Sequence, residues 1–467
     1  MSTELLAPLD LAFWHLESAE HPMHLGALAV FGPAPGFGPE EAVDLLASRA
    51  AAIPRLRMCV RTVWLPLGGA AWSEDRHFDV RRHVRPVAVP LGDADGAGDF
   101  GDFAAGANRL AGELMERPLE RGRPPWEMYV LTGGREPGGP FAVLVKLHHA
   151  LADGMRAVAI GAGIFDQIAG GRAAPGRLVR AVPPRSWMPG PRQFAGFARE
   201  RIEELGQAVG IGASVMRASR LDLRGGSALA ASSSGTRRLA TAVLDQEDVL
   251  RVRRTVGGTA NDVLLAVVAG GLRRWMLERG ERLPGADPRA LVPVSRRRPG
   301  SPPGSANKLS AYLLGLPVSE PDPWLRLCRV RTAMDRNKAA GPSRGAGAVA
   351  VLADRLPPLA HRVGAQLAGN AARVLFDVLV TSVPLPRSTL SLGGCPLREL
   401  YPLAPLAHGQ SLAVALSTYG GQVHVGLVAD GKAVPDAGRL AACFSDELGE
   451  LLKVTAARSL PGVDAPK

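Results

Sequence analysis

The order of hydrophobic and polar residues predicts an alternation of strands and helices along the whole 467-residue chain. Short apolar runs or two-residue alternation indicate strands, and apolar positions three and four residues apart indicate helices. In the first half, the predicted strands are 23–31, 57–65, 84–90, 126–131 and 141–149, and the predicted helices run from Pro39 to before Pro54, over 101–116 and from Asp153 to about Ile168. The turn-rich segment TGGREPGGP separates the last two strands.

The second half repeats this alternation. Its predicted strands are 238–245, 289–295, 307–318, 411–421 and 422–430, and its predicted helices are 246–256, 259–280 and 322–338. Between the halves lie a Gly-, Pro- and Arg-rich stretch, a segment compatible with an amphipathic helix (194–219) and a small, polar run (225–236). We therefore predict a mixed α/β (α+β) protein with two sandwich-like halves, residues 1–175 and 237–467, joined by a helical linker over 176–236.

The charge balance is basic, with 55 Lys and Arg residues against 44 Asp and Glu and a formal net charge of +11. Nucleic-acid binding would call for a basic cluster interleaved with aromatic residues or a recognisable motif, and the sequence has neither. The nearest candidate, SRRRPG at 295–300, is typical of a solvated turn. We expect no nucleic-acid partner. The positive charge favours binding to an anionic group, such as cofactor phosphates or a membrane surface. The alternative is that the charge has no specific partner.

Cysteine spacing and hydropathy bear on the compartment. Cys59, Cys328, Cys395 and Cys443 are widely separated without a CxxC pair, which predicts small core residues in a reducing compartment rather than a disulfide framework or a zinc site. The N-terminal residues lack a basic start followed by an unbroken apolar stretch, so we expect no signal peptide. Because no apolar run reaches 18 residues, any membrane association is expected to be peripheral.

The segment HHALADG, residues 148–154, carries the strongest indication of chemistry. An apolar strand delivers His148 and His149 to its carboxyl end, where ligand sites often form in α/β folds. Adjacent strand residues point to opposite faces, so one histidine faces a cleft and the other packs inward. A neutral imidazole has the pKa and geometry to remove a proton from a hydroxyl group. Asp153 is placed to cap the next helix or to steady an imidazole, and Gly154 lets that helix approach closely.

Several alternatives compete with a histidine base. The two histidines could be structural residues beside a helix cap, or they could hold a metal ion with Asp153. Adjacent strand histidines rarely converge on one ion, so we expect no metal. The spacing of HPMH (His21–His24) is suggestive, but the segment leads into an apolar strand, which favours core packing. GPSRG at 341–345 matches GxSxG, yet a nucleophile elbow needs a preceding apolar strand, and here a charged helix precedes it.

These motifs together resemble the bacterial wax ester synthase/diacylglycerol acyltransferases. That family belongs to the wider HHxxxDG acyltransferases, alongside chloramphenicol acetyltransferase and peptide-synthetase condensation domains. The resemblance runs nearly end to end and rests on PLDLAFWHLES (8–18), PMHLGAL (22–28), PLERGRPPWE (118–127), HHALADG (148–154) and TANDVLLA (259–266), followed by LVPVSRR, NKLSAYLLGLP and the closing hairpin in the family's order. It implies two chloramphenicol-acetyltransferase-like α/β sandwich domains.

The resemblance also implies roles for the motif residues. His149 would be the general base and His148 its partner in the motif. Asp153 would hold the loop, against an arginine, and Gly154 would shape the turn. HHxxxDG by itself identifies only the superfamily, and the neighbouring motifs narrow it to neutral-lipid synthesis.

In the second half, the resemblance assigns Asn261 and Asp262 to supporting the site, and helix capping by a buried polar pair is compatible with that assignment. The implied reaction transfers a fatty acyl group from acyl-CoA to diacylglycerol, giving triacylglycerol, or to a long-chain alcohol, giving a wax ester. Acyl-CoA would be a co-substrate, and no separate cofactor is expected. The implied location is the cytoplasm, with peripheral association at the inner face of the cell membrane or on lipid inclusions.

Two departures from the family pattern lie in the second half. The usual TNVPGP-like segment reads TSVPLP (Thr381–Pro386), with Ser382 in place of asparagine and Leu385 in place of glycine, and the glycine often found before Asn307 is missing. Because of these changes, the resemblance does not decide which acceptor the protein uses. One alternative is an acyltransferase of the same superfamily that acts on a specialised metabolite or a carrier-protein thioester. A second alternative is a non-catalytic lipid-binding homologue, against which the intact HHALADG segment argues.

Overall fold

The structure is a computed structural model, and it describes residues 4–90, 100–133, 141–168, 229, 233–295, 309–340, 358–363, 375–386 and 388–459. Four features discussed above lie outside these residues: the arginines of SRRRPG, the GPSRG match at 341–345, Asn307 and nearly all of the predicted linker at 176–236. The division of the chain at residues 175 and 236 therefore stays a prediction.

Seven strands of the described residues form the sheet that ends at HHALADG. They are β2 (His24–Phe31), β5 (Val84–Ala88), β6 (Trp126–Thr132), β7 (Phe141–His148), β8 (Asp166–Ile168), β13 (Thr389–Leu392) and β14 (Cys395–Leu403). Their order is β5–β6–β7–β2–β14–β13–β8, and all neighbours are antiparallel except β5 and β6. Two strands from the last hundred residues thus complete a sheet that is otherwise built from the first half of the chain.

Six further strands form a second sheet. They are β9 (Arg237–Asp245), β10 (Arg289–Ser295), β11 (Leu309–Gly315), β12 (Val378–Val383), β15 (Leu412–Tyr419) and β16 (Gln422–Asp430). Their order is β11–β10–β12–β15–β16–β9, with β12 parallel to β10 and β15. A small third sheet joins β1 (Glu4–Leu5), β3 (Met58–Thr62) and β4 (Ala70–Glu74) in the order β1–β4–β3.

Eight α-helices of the described residues have names used below. They are α1 (Pro8–Leu16), α2 (Pro39–Ala52), α3 (Phe100–Glu116), α4 (Gly154–Ile164), α5 (Gln246–Val256), α6 (Ala260–Glu278), α7 (Pro323–Ala340) and α8 (Ala437–Ser459). The predicted bounds of α2, α3 and α5 are confirmed to within one residue. The prediction that the helix after Asp153 runs to about Ile168 is wrong, because Phe165 turns extended and buried and β8 then pairs with β13.

The hydrophobic pattern offered no prediction for α1 or α8. Helix α1 begins with Pro8 at its first position and carries Asp10 in its first turn, which are favourable choices for a helix start. Within the described residues, no single helix has both the length and the apolar composition to cross a bilayer. The pair α5 and α6 reaches that length and composition only when joined across a bend of 103°.

Buried residues form three clusters around the two large sheets. Strand β7 shows how they are arranged: Phe141 and Val143 belong to the cluster shared with α2 and α4, whereas Ala142 and Leu144 belong to a cluster that includes residues of both sheets. This is the two-residue period of a strand buried on both faces. The third cluster packs α6, α7 and α8 against the second sheet. The two sheets are therefore joined by a common core.

Strands β14 and β16 approach each other closely where the two sheets meet. A Cβ atom at Gly426 would lie 2.0 Å from the carbonyl oxygen of Pro402, so only glycine fits there without moving the chain. Nearby, the Ser417 hydroxyl donates a 2.7 Å hydrogen bond to the Leu400 carbonyl. This junction fixes how the halves meet.

Gly426→Ala is expected to lower the free energy of unfolding by about 3 kcal/mol, because the added methyl group overlaps a backbone atom of the other sheet. The matched control is Gly449→Ala in α8, where a Cβ atom meets nothing within 4 Å. The control should raise stability by ~0.5–1 kcal/mol, since alanine is the better helix former. Urea unfolding followed by circular dichroism measures both. Equal effects in the two variants would contradict the tight contact.

Candidate active site

Strand β7 ends at His148, and a turn begins at His149. His148 N donates to the Pro125 carbonyl at 3.0 Å, and His149 N donates to the Met23 carbonyl at 2.8 Å. The two imidazoles therefore point in different directions, as predicted for adjacent strand residues. His148 is fully buried and His149 is half-buried.

His148 has a hydrogen bond at one ring nitrogen and a close carboxylate at the other. Nδ1 accepts a 2.9 Å hydrogen bond from the backbone N–H of Ala150, so the neutral ring carries its proton on Nε2. Nε2 lies 3.4 Å from Glu17 Oε1. The first bond closes the tight turn after the strand, and the second contact fixes the ring against the residue that follows α1. His148 is thus a residue that shapes the loop.

Glu17 is the anion at the centre of this buried group. The Nε2 atom of His24 lies 3.2 Å from Glu17 Oε1, and a guanidinium nitrogen of Arg121 lies 3.3 Å from Oε2. The carboxylate side chain is only 7% exposed. Burial raises its pKa, but the contacts with His148 and His24 outweigh burial and hold the pKa well below its usual range. Glu17 is therefore ionised at neutral pH.

His24 belongs to the same group. It is buried, and burial lowers its pKa to about 4 in spite of the adjacent Glu17. It pairs with His148 across β2 and β7. The HPMH segment was predicted to pack in the core, and His24 is indeed buried. Its neighbours, however, include Glu17 and His148, which are polar groups of the site.

His149 has a different environment. Its ring stacks on Phe13 of α1, with centroids 4.0 Å apart and planes 19° apart. Nδ1 of His149 is buried within the protein. Burial lowers the pKa of His149 to about 4; a hydrogen bond to its own backbone carbonyl and the charge of Asp153 oppose this, and His148 adds to it. The ring is neutral at physiological pH and can accept a proton.

Asp153 and Gly154 begin α4. Asp153 is buried and caps the helix, accepting a 2.8 Å hydrogen bond from the backbone N–H of Arg156. The Arg156 side chain lies 3.8 Å from Asp10 of α1, which ties the loop to that helix. The prediction that Gly154 permits a close approach is wrong, because a Cβ atom there would meet Val383 at an ordinary 3.8 Å.

The second half contributes the start of α6 and the end of β12. Asn261 Oδ1 accepts a 2.8 Å hydrogen bond from the Ser382 hydroxyl. Asp262 forms a capping box with Thr259, and its side chain is almost fully buried. Asp262 therefore caps its own helix, whereas Asn261 reaches across to the TSVPLP segment.

The structure thus brings three separate motifs together. The residues Ser382 and Val383 of the TSVPLP segment contact the other two motifs. Ser382 donates a hydrogen bond to Asn261. The Val383 side chain is the neighbour of Gly154 in HHALADG. Sequence reasoning had not singled out Glu17 or Phe13. Both residues lie in the opening PLDLAFWHLES segment, in which Phe13 stacks on His149 and Glu17, just after α1, contacts His148. Among the described residues, no three His, Cys, Asp or Glu side chains are grouped so that they could hold a metal ion.

Comparison with known proteins identifies what the chain is similar to. A family model described as the wax ester synthase/diacylglycerol acyltransferase catalytic domain matches residues 6–264, and one described as the C-terminal domain of the same proteins matches residues 305–452. A probable diacylglycerol O-acyltransferase of Mycobacterium tuberculosis is 32% identical over 468 residues, covering 97% of each chain.

Solved structures show the same fold. A wax ester synthase/diacylglycerol acyltransferase from Marinobacter aquaeolei superposes with a TM-score of 0.68 at 23% identity, covering 97% of this chain and 100% of the other. A trichothecene O-acetyltransferase from Fusarium sporotrichioides superposes with a TM-score of 0.60 at 11% identity, covering 97% and 95%. The predicted fold class of two α/β acyltransferase-type halves is confirmed.

Proposed function

This chain belongs to the wax ester synthase/diacylglycerol acyltransferase family, and from that premise we propose that it transfers a fatty acyl group from acyl-CoA to diacylglycerol or a long-chain alcohol. The observation that carries the proposal is the neutral, half-buried His149 at the end of β7, braced by Phe13. The product is a triacylglycerol or a wax ester, according to the acceptor.

The reaction is a direct transfer with His149 as general base. Nε2 of His149 takes the hydroxyl proton while the alcohol oxygen attacks the thioester carbonyl carbon, forming a tetrahedral intermediate. The intermediate then collapses, the C–S bond breaks, and the imidazolium returns the proton to the departing thiolate. This route calls for a base but no enzyme nucleophile, and we propose that it uses no cofactor besides acyl-CoA as co-substrate.

The buried group beneath His149 supports this role. His148, held by Ala150 and Glu17, fixes the turn that presents the next residue, and the Asp153 cap fixes the start of α4. A base that is held in place avoids the entropy loss of ordering during the reaction. We propose that His149 is the catalytic residue and that His148 and Asp153 are positioning residues.

The acid limb of the pH profile is expected near pH 4. The folded pKa of His149 is lowered from 6.5 to about 4, so the competent neutral form is present above that pH and is lost as the pH falls through it. Measuring kcat/KM of the wild type from acid to neutral pH, with circular dichroism at each point to confirm folding, provides the check. An acid limb centred near 6.5 would contradict the buried environment of the base.

The function is tested with purified protein, palmitoyl-CoA and two acceptors, a diacylglycerol and hexadecanol. Formation of triacylglycerol, wax ester or both supports the proposal. Absence of turnover with either lipid would exclude neutral-lipid synthesis and favour the second candidate, acylation of a specialised metabolite or transfer from a carrier-protein thioester. The observation behind that candidate is Ser382 in place of the family's asparagine.

Ser382→Asn is expected to change the ratio of diacylglycerol to hexadecanol turnover by about fivefold. The serine hydroxyl is the donor to Asn261, and a hydrogen bond of this kind contributes ~1 kcal/mol. Both acceptors compete in one reaction, so the ratio is its own control for protein concentration and folding. An unchanged ratio would show that this contact does not influence acceptor choice.

We also propose that the protein works in the cytoplasm as a peripheral protein, at the inner face of the cell membrane or on lipid inclusions, and that it has no nucleic-acid partner. Lipid acceptors partition into such surfaces, and the net positive charge favours anionic ones.

A further inference from the structure

A group of large apolar side chains is exposed in the loop that joins β3 and β4. Trp64, Leu65 and Leu67 are 83%, 65% and 59% exposed. The loop belongs to the small third sheet, apart from the two large sheets. Monomeric proteins rarely expose adjacent large apolar residues unless the surface binds something.

A second segment extends this surface. A short helical turn at residues 358–363 exposes 48% of Leu359 and 70% of Val363. It lies directly against the loop, since a Cβ atom at Gly68 would be 2.9 Å from the Cα atom of Leu359. The exposed side chains of these two adjoining segments are together called the apolar patch below: Trp64, Leu65, Leu67, Leu359 and Val363.

The apolar patch is linked to the catalytic base through α1. His15 Nε2 donates a 3.1 Å hydrogen bond to the Gly68 carbonyl, which anchors the loop on that helix. Two residues earlier in α1, Phe13 stacks on His149. A molecule that rests on the patch is thus next to the helix that covers the base.

The charges around the patch select an anionic occupant. Arg61 is the second-last residue of β3, close to the start of the loop, and Arg362 is adjacent to Val363. Both are exposed, and neither has an ion-pair partner among the residues that the structure describes. Tryptophan and aliphatic side chains flanked by arginine are the combination that enters the boundary between headgroups and acyl chains. The net charge of the whole chain, +11, is positive like the charges of these two arginines.

We propose that the apolar patch docks the enzyme on an anionic lipid surface, so that a lipid acceptor passes from that surface to His149 without crossing water. The role given to docking in this inference depends on the proposed lipid-acylating function. The docking itself is measurable without catalysis. The patch supplies the apolar contacts, and the two arginines supply the attraction to anionic headgroups.

Binding of the full chain to vesicles tests the proposal. One set is phosphatidylcholine alone and the other contains phosphatidylglycerol, and flotation measures the bound fraction. The test variant carries Trp64→Ser, Leu65→Ser and Leu67→Ser. The matched control carries Leu277→Ser and Leu325→Ser, which are 48% and 47% exposed on α6 and α7. Circular dichroism and the thermal midpoint confirm that both variants fold.

The wild type is expected to bind the anionic vesicles more tightly than the neutral ones. The test variant should bind them about tenfold more weakly or worse, while the control binds like the wild type. Equal binding by test variant and wild type would overturn the proposal, as would a wild type that binds neither vesicle. A lipid-free dimer that the test variant abolishes, without vesicle binding, would instead identify the patch as a protein interface and also overturn it.

Failure of docking and failure of the proposed function are distinguishable by a second readout. Acyl transfer from a soluble short-chain acyl-CoA to a water-soluble alcohol needs no lipid surface. Vesicle binding without this transfer would count against the proposed function and support the docking surface. Transfer without vesicle binding would support the function and overturn the docking surface.

Discussion

His149→Ala is expected to lower kcat by about three orders of magnitude while KM for acyl-CoA changes little. The imidazole takes the hydroxyl proton in the transition state, and a positioned general base typically contributes 10²–10⁴-fold. Alanine also removes the ring that stacks on Phe13, which is why circular dichroism of the variant must accompany the kinetics. Steady-state rates with palmitoyl-CoA and a saturating acceptor give the comparison.

The control for this prediction is His77→Ala, an exposed histidine in the first half of the chain. Its kcat should equal that of the wild type. If the His149 variant is folded and keeps more than a tenth of wild-type kcat, proton removal does not depend on this residue, and the proposed mechanism is wrong whatever the fold.

Glu17→Gln is expected to lower kcat by about 10²-fold and to leave KM for acyl-CoA within about twofold, because misplacing a catalytic group by ~1 Å has an effect of this size. The amide keeps the shape of the carboxylate but loses the charge that holds His148 and His24. Glu17 acts on the reaction through His148, so it is a positioning residue. Initial rates at varied acyl-CoA separate kcat from KM.

Stability supplies a second readout for the same substitution. The folded pKa of Glu17 is below its ordinary value of 4.5, so its contribution to stability is complete above that value and is lost as the pH falls through the folded pKa. Glu17→Gln should lower the free energy of unfolding by ~2 kcal/mol at neutral pH and show less loss in acid than the wild type.

Glu20→Gln is the matched control for Glu17, three residues away and exposed. It should leave kcat and stability near their wild-type values. A Glu17 variant that is less stable but fully active would show that the buried carboxylate serves only the fold. A variant with lower kcat and unchanged stability would separate its positioning role from packing.

Strands and helices with a clear period could be predicted from the sequence, and those set by distant pairing could not. The strand that delivers the histidines and the buried helix α6 follow directly from their apolar positions. Strand β8 is three residues long and exists because it pairs with β13, more than two hundred residues later. Its one apolar residue, Ile168, continues the helical period of α4, so the local pattern favours the wrong structure there.

The candidate site shows the same division. HHALADG and the Asn-Asp pair were found from the sequence because their residue types and spacing are unusual. Glu17 was missed because a single glutamate near a chain start resembles any solvated acidic residue. Only the packing of α1 against β2 and β7 places it between two buried histidines. The relation between Ser382 and Asn261 likewise depends on the arrangement of β12 and α6.

The completion of the first sheet by β13 and β14 has a consequence for synthesis on the ribosome. Strand β2 pairs with β14 along one edge, so that edge has no partner until residue 403 has left the exit tunnel. During most of translation the nascent first half therefore presents an open row of backbone donors and acceptors, which is a template for aggregation. In a fragment that ends in the predicted linker, this edge of β2 would stay unpaired, because β14 would be missing. Such a fragment is therefore a poor choice for expressing the histidine-bearing half alone.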